Sequence, residues 1–139
     1  MQAQELKQLN EHFIEEVFRH RRVEAIDDLL TEDFTEHTPA PGQGADRQGT
    51  KEFIGQMLEA FPDMDFTIDS QIAEGDMVSS IGTMTGTHRG DFMGVPATGR
   101  RVSVPVMDTA KGRGGRFSDH WGLVDVPKLM DQLGVSGPS

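Results

Sequence analysis

The stretch Phe61-Pro-Asp-Met-Asp-Phe-Thr-Ile-Asp69 marks the point where the hydrophobic period of this chain changes. Before Pro62, apolar residues recur every three or four positions, as they do along one face of a helix. After it, Met64, Phe66 and Ile68 alternate with polar residues, which is the period of a half-buried strand. Helices followed by a meander of strands predict an α+β domain.

Three helices are predicted ahead of this point. The second is short and ends before Asp33, and the third runs from about Thr50, which resembles an N-cap, to Ala60. Two Pro and two Gly exclude regular structure from residues 37–44 between them. The residues expected to face the core are Leu6, Leu9, Phe13, Val17 and Phe18 of the first helix, Val23, Ile26, Leu29 and Leu30 of the second, and Phe53, Ile54, Met57 and Leu58 of the third.

Four strands are predicted after the change of period, at residues 64–69, 77–88, 101–110 and 116–126. A glycine-rich hairpin turn over residues 111–115 joins the last two. A final helical turn from Pro127 to Leu133 follows, and residues 134–139 are expected to fray. Four strands and three helices cannot bury both faces of the sheet. One face should therefore enclose a cavity with the helices, and the other is predicted to meet a second copy in a homodimer.

Composition narrows the class of protein. The chain has 139 residues, of which 35% are hydrophobic, and this predicts a single domain over residues 1–139. The net charge of -10 argues against nucleic acid or an anionic membrane as the main partner. There is no membrane-spanning run and no signal-like start, so we expect a cytoplasmic protein.

Several kinds of site are not expected. The chain has no Cys, which excludes a thiol nucleophile, a disulfide and a thiolate zinc site. No pair of His lies at metal-ligand spacing, and there is no dinucleotide or phosphate-binding fingerprint. We therefore expect neither a metal nor a cofactor.

The segment Asp119-His-Trp121 places an acid, an imidazole and the only Trp on the last predicted strand. Acid and imidazole are the groups that move protons near neutral pH. Neighbouring residues on a strand point to opposite faces, so only one of Asp119 and His120 can enter the cavity. Both alternatives stay open at this point.

Asp108 is the third candidate for catalysis, because it continues the buried phase of Val102, Val104 and Val106. A carboxylate in an apolar row is costly unless it is paired, protonated or functional. One interpretation is that Asp108 faces the cavity and couples to His120 across the hairpin. The other is that the strand ends there and Asp108 is solvated.

A further set of residues is expected to contact the ligand. His37 opens the proline-containing loop, where it either donates to a substrate carbonyl or only satisfies loop carbonyls. With no Tyr and eight each of Phe and Met, the pocket should be apolar and suit a small or aliphatic ligand. The remaining predicted contacts are Trp121, Phe53, Met57, Met107 and Phe92.

Four blocks of sequence resemble, in order, the SnoaL-like polyketide cyclase family. They are Ala60-Phe-Pro-Asp63, Ala73-Glu-Gly-Asp76, Gly86-Thr-His-Arg-Gly-Asp-Phe-Met-Gly-Val-Pro-Ala-Thr-Gly-Arg100, and Asp119-His-Trp121 with Asp125. That family belongs to the nuclear transport factor 2-like superfamily of cone-shaped α+β domains. The resemblance implies three N-terminal helices packed on a curved antiparallel or mixed sheet that encloses a pocket. It also implies an acid/base carboxylate at or beside Asp119 and no metal.

Two functions follow as hypotheses. The first is a cofactor-independent enzyme that removes a proton next to the carbonyl of a small hydrophobic ligand. Carbon–carbon bond formation then gives a cyclase of the aldol type, while other outcomes on the same fold are an isomerase, dehydratase or hydrolase. The second is a non-catalytic domain that binds a small molecule, because a fold alone does not determine chemistry.

Overall fold

One face of a five-stranded mixed sheet is covered by helices in the computed structural model, which describes residues 1–135. The elements are α1 (Ala3–Phe13), α2 (Ile26–Leu29), β1 (Leu30–Glu36), α3 (Arg47–Ala60), β2 (Asp65–Glu74), β3 (Met77–Thr87), β4 (Arg101–Arg113), β5 (Arg116–Val124) and α4 (Val126–Gln132). The strand order is β1-β5-β4-β3-β2, in which β1 runs parallel to β5 and the other pairs are antiparallel. The predicted α+β fold is confirmed.

The N-terminal helix changes its winding partway along. α1 is followed directly by a π-helical segment, Ile14–Arg19, which keeps Val17 and Phe18 buried. A short 3₁₀ turn, Val23–Ala25, then leads into α2. The wider π turn rotates the side chains after Phe13 relative to an α-helix, and π segments often occur beside functional sites.

The start of α3 differs from the prediction. Asp46, and not Thr50, is its N-cap, and the Asp46 side chain accepts a hydrogen bond from the backbone N–H of Gly49 at 2.7 Å. Asp is at least as good an N-cap as Thr, so the helix begins at the earlier signal. Thr50 is instead a buried residue within the helix.

The strand β1 was missed by the sequence prediction, which counted four strands. Its residues were assigned to the end of the second helix and the loop after it, although α2 is a single turn that ends at Leu29. Leu30, Phe34 and Glu36 of β1 are buried, but polar residues and a register shift between Leu30 and Thr35 interrupt the alternation. Its pairing partner, β5, also lies more than eighty residues further along the chain, so no local pattern reveals it.

The C-terminal half follows the prediction closely. β4 and β5 form a hairpin that turns at Gly114 and Gly115, whose φ angles of 62° and 84° favour glycine. Asp125 caps α4, which buries Leu129. The last described residue, Val135, donates a backbone hydrogen bond to the final turn, whereas residues 136–139 of the segment expected to fray lie outside the described range.

The two faces of the sheet differ in exposure. On the concave face, Val102, Val104 and Val106 are buried beneath the helices. On the convex face, Ile81 and Leu123 remain exposed at the surface of this chain. Within residues 1–135, none of the helices combines the length and apolar character needed to cross a membrane.

Candidate active site

The helices and the concave face of the sheet enclose a chamber of about 380 Å³. Most of its wall is apolar and includes Phe53 and Met57 of α3 and Phe92 of the loop before β4, three of the residues expected to contact a ligand. The titratable side chains that line it within the described chain are Glu36, Asp108 and His120. The chemistry of this chamber therefore rests on two carboxylic acids and one imidazole.

These three side chains form a continuous hydrogen-bonded row. The His120 Nδ1 atom lies 2.6 Å from Oε2 of Glu36, and its Nε2 atom lies 2.9 Å from Oδ1 of Asp108. The strand order explains the arrangement, because β5 carries His120 between β1 with Glu36 and β4 with Asp108. Of the two open alternatives, His120 is thus the residue that enters the chamber, and its predicted coupling to Asp108 is present.

Glu36 is fixed on its other side by Thr38. The Glu36 Oε1 atom accepts hydrogen bonds from the backbone N–H of Thr38 at 3.2 Å and from its hydroxyl at 2.8 Å. The Thr38 hydroxyl oxygen accepts in turn from the N–H of Gly122 at 2.8 Å. Only 6% of Glu36 is exposed. A buried carboxylate with this many donors is held in one orientation.

The row is charged at neutral pH. Burial lowers the pKa of His120, but hydrogen bonds and charge from Asp108 and Glu36 outweigh it and raise the pKa to about 9. Burial also raises the pKa of Glu36, yet the hydrogen bond and charge of His120 and the two donors of Thr38 bring it below its ordinary value. His120 is therefore an imidazolium that donates both ring N–H groups to carboxylates.

Asp108 and His120 are the members of the row that a ligand can reach, since only 6% of the Glu36 side chain is exposed. The side chain of His120 is 33% exposed and that of Asp108 is 35% exposed. Asp108 continues the inward phase of Val106 on β4, as the sequence predicted, and Ser80 lies directly opposite on β3 and also lines the chamber. The carboxylate of Asp108 is thus in contact with the space that a substrate would fill.

Asp119, the other residue expected to be able to enter the chamber, does not line it. Adjacent strand positions point to opposite faces, and the inward direction of His120 turns Asp119 outward. Its Oδ1 atom lies 2.9 Å from Nε2 of His37, and its Oδ2 atom accepts from the Ser118 hydroxyl at 2.7 Å. The hydrogen bond from His37 lowers the pKa of Asp119, with Ser118 adding to the effect against burial.

Three residues expected to contact the ligand also lie outside the chamber. The His37 ring stacks on Trp121, with centroids 4.2 Å apart and planes 5° from parallel. Met107 is 56% exposed on the convex face, beside Leu123 of β5. His37, Trp121 and Asp119 therefore form a separate outer cluster that ties the loop after β1 to β5.

Glu36 is the member of the row that the sequence analysis missed. It follows Phe34 at the spacing of one strand face, so a carboxylate continues an apolar phase here just as Asp108 does on β4. That signal was hidden because residues 30–36 were not recognised as a strand. Among residues 1–135, no group of three or more acidic or imidazole side chains is arranged to hold a metal ion.

Helices that cover a curved sheet around an acid–imidazole–acid row define a class of small α+β domains with an internal chamber. The chain belongs to the SnoaL-like polyketide cyclase family, whose model matches residues 8–133. No curated protein matches the sequence significantly.

Three of the solved structures that are similar to this chain come from Streptomyces. TsrD from Streptomyces laurentii is 28% identical, with a TM-score of 0.87, over 98% of this chain and 99% of that one. IdmH from Streptomyces antibioticus, named as a candidate polyketide cyclase, is 29% identical, with a TM-score of 0.80 over 93% and 98%. AclR from Streptomyces galilaeus, named as a candidate hydroxylase, is 26% identical, with a TM-score of 0.84 over 96% and 98%.

Proposed function

We propose that this protein is a cofactor-independent enzyme that moves a proton next to a carbonyl group, with Asp108 as the base. The observation that carries the proposal is the Glu36–His120–Asp108 row in a chamber whose wall is mainly apolar. Charged groups are expensive in such surroundings, and perturbed titratable groups in a cavity are typical of catalytic sites.

Each member of the row has a separate role. Asp108 accepts the proton from the carbon next to the carbonyl, because its carboxylate faces the substrate space. The charge that leaves Asp108 develops on the enolate oxygen, where the nearby His120 imidazolium stabilises it and the Ser80 hydroxyl donates a hydrogen bond. Glu36 is a positioning residue that keeps His120 protonated and oriented.

The aldol-type reaction balances with these groups alone. The enolate carbon attacks a second carbonyl carbon of the same molecule, a carbon–carbon bond forms, and the attacked oxygen becomes an alkoxide. Asp108 returns its proton to that alkoxide and is again a carboxylate. If the proton returns instead to another carbon, the product is an isomer.

The chamber favours a small, mainly hydrophobic carbonyl compound as substrate. A volume of about 380 Å³ lies near the small end of the range for ligand pockets, roughly 300–1,000 Å³. The similarity to a candidate cyclase, IdmH, supports chemistry of this kind. A non-catalytic binding domain would be expected to direct its acids to solvent, and the inward direction of Asp108 disfavours that alternative.

Hydrogen–deuterium exchange tests the proposal without knowledge of the natural substrate. We expect the purified protein to accelerate deuterium incorporation next to the carbonyl of β-keto esters in D₂O, followed by proton NMR. The control is an equal concentration of free imidazole and acetate. Exchange no faster than in that control, across esters that bind, would contradict the assignment of a catalytic base.

The exchange rate should depend on the charge of His120. Because the pKa of His120 is raised to about 9, the imidazolium is present at neutral pH and is lost as the pH rises through that value. We expect the rate constant to decline above about pH 9, because the positive charge that stabilises the enolate is then lost. A profile that rises through this range would indicate that neutral His120 is the base.

We also propose that the convex face mediates homodimer formation. Ile81, Met107 and Leu123 lie in register across β3, β4 and β5 and are 50%, 56% and 71% exposed. A row of this kind is typical of a surface that is covered in an assembly.

A charge in this row should separate the dimer. We expect Leu123→Glu to halve the mass measured by light scattering, while the same charge added at the exposed Gln4, by Gln4→Glu, leaves it unchanged. A wild-type protein that is monomeric at high concentration would contradict the dimer.

A further inference from the structure

A hairpin before β4 separates the inner chamber from a second cavity. This outer cleft has a volume of about 500 Å³ and lies between α3, the loop after β1 and the loop before β4. The two cavities share lining residues, which therefore form the wall between them: Ala40, Pro41, Gln43, Phe53, Phe92 and Met93. A ligand longer than the inner chamber must pass this wall to reach the cleft.

Met93 occupies an unusual backbone position at the tip of the hairpin. Phe92 and Val95 exchange backbone hydrogen bonds at 3.0 and 2.9 Å, which leaves Met93 and Gly94 as the two turn residues. Their φ angles are 50° and 80°, as in the hairpin turns that prefer Asn-Gly. Gly94 fits this turn, but a Met in the left-handed region is strained.

The side chain of Met93 is partly exposed, whereas that of the preceding residue, Phe92, is buried. Phe92 is 9% exposed and packs edge-on against Phe61 at 5.4 Å, so it fixes the base of the hairpin. Met93 is 46% exposed and contacts both cavities. Strained backbone positions cluster at ligand-binding sites, so the strain at Met93, at the edge of two cavities, indicates a role in ligand binding.

We propose that Met93 is the specificity residue that limits the length of the ligand, by closing the inner chamber against the outer cleft. This inference deepens the proposed function, since both require a ligand in the inner chamber. Met suits such a position because its thioether chain is flexible and packs against varied apolar shapes. Without the side chain, the chamber and the cleft become one longer cavity.

A series of linear 2-alkanones of increasing length tests the proposal by calorimetric binding. Each methylene buried in the chamber should raise the affinity roughly fourfold. In the wild-type protein this gain should stop at the length where the tail reaches Met93. In Met93→Gly the gain should continue, so that the longest ketones bind at least about tenfold tighter than to the wild type. Short ketones should bind both proteins equally.

Two further variants separate the side chain from general effects. Met93→Leu keeps the bulk and should keep the limit on length, while Ile72→Ala removes an exposed apolar side chain that lines neither cavity and should change nothing. The same limit in wild type and Met93→Gly, or no limit in the wild type, would overturn the proposal. Because only binding is measured, a failure of the proton-transfer chemistry leaves this result intact.

Discussion

Asp108→Asn should lower the rate of proton exchange by about 10²–10⁴-fold, the typical contribution of a general base. The substitution keeps the shape of the side chain but removes the negative charge that accepts the proton. It also leaves His120 with one carboxylate, so the pKa of His120 should fall below about 9. The rate is measured by NMR with the β-keto esters that bind the wild-type protein.

A matched control is available one strand away. Asp119→Asn makes the same chemical change on the outer face, where Asp119 pairs with His37 and not with the chamber. We expect it to retain the exchange rate within a few-fold. Similar losses in both variants would show that the effect is structural, and full activity of Asp108→Asn with normal binding would remove Asp108 as the base.

Glu36→Gln should have the largest effect on stability. The variant keeps the size of the buried side chain but takes away the charge that His120 faces at 2.6 Å. Loss of a partner from a buried ion pair leaves the other charge poorly compensated, and we expect a cost of about 2–3 kcal/mol. For a domain of this size, that corresponds to a decrease in Tm of roughly 10 °C.

The pH dependence of the free energy of unfolding identifies the cause of the stability loss in Glu36→Gln. The pKa of His120 is raised in the folded state, so its contribution to stability is complete below the ordinary value of about 6.5 and disappears as the pH rises through about 9. Glu36→Gln should weaken this dependence and lower the pKa of His120 measured by NMR. The lowered pKa of Glu36 adds stability that is lost in acid, so the two proteins should converge at low pH.

Glu32→Gln serves as the control, because Glu32 is exposed on the same strand. It should leave both Tm and the pKa of His120 unchanged. If Glu36→Gln unfolds no earlier than the wild type and His120 titrates as before, the assigned role of Glu36 is wrong.

The helices and antiparallel strands could be predicted because their signals are local. The change of period at Pro62, the hairpin glycines and the apolar phase that reaches Asp108 all lie within a few residues of the structure they specify. The strand β1 could not be predicted in this way. Its alternation is interrupted and its partner, β5, is distant in sequence, so the pairing that makes it a strand forms only in the folded chain.

The residues of the candidate site could also be predicted only in part. Asp108 was predicted as a site residue because it is a polar side chain at a strand position where apolar residues alternate. Residues 119 and 120 were predicted because they combine an acid with an imidazole. Because side chains alternate along β5, only one of these two residues can point into the chamber. Which one does so depends on which face of the sheet the helices cover. The fold turned His120 inward and Asp119 outward.

The sequence by itself determined the α+β class, the family and the presence of acid–base groups, because periodicity and motifs are properties of neighbouring residues. The tertiary structure alone decided that His120 points inward and that Glu36 joins it. His120 and Asp108 lie on the two strands of one hairpin, whereas Glu36 lies 84 residues before His120 on a strand that is adjacent only in the sheet. The hydrogen bond between Glu36 and His120 forms only at a distance of about 3 Å, which folding creates between residues that no local sequence pattern relates.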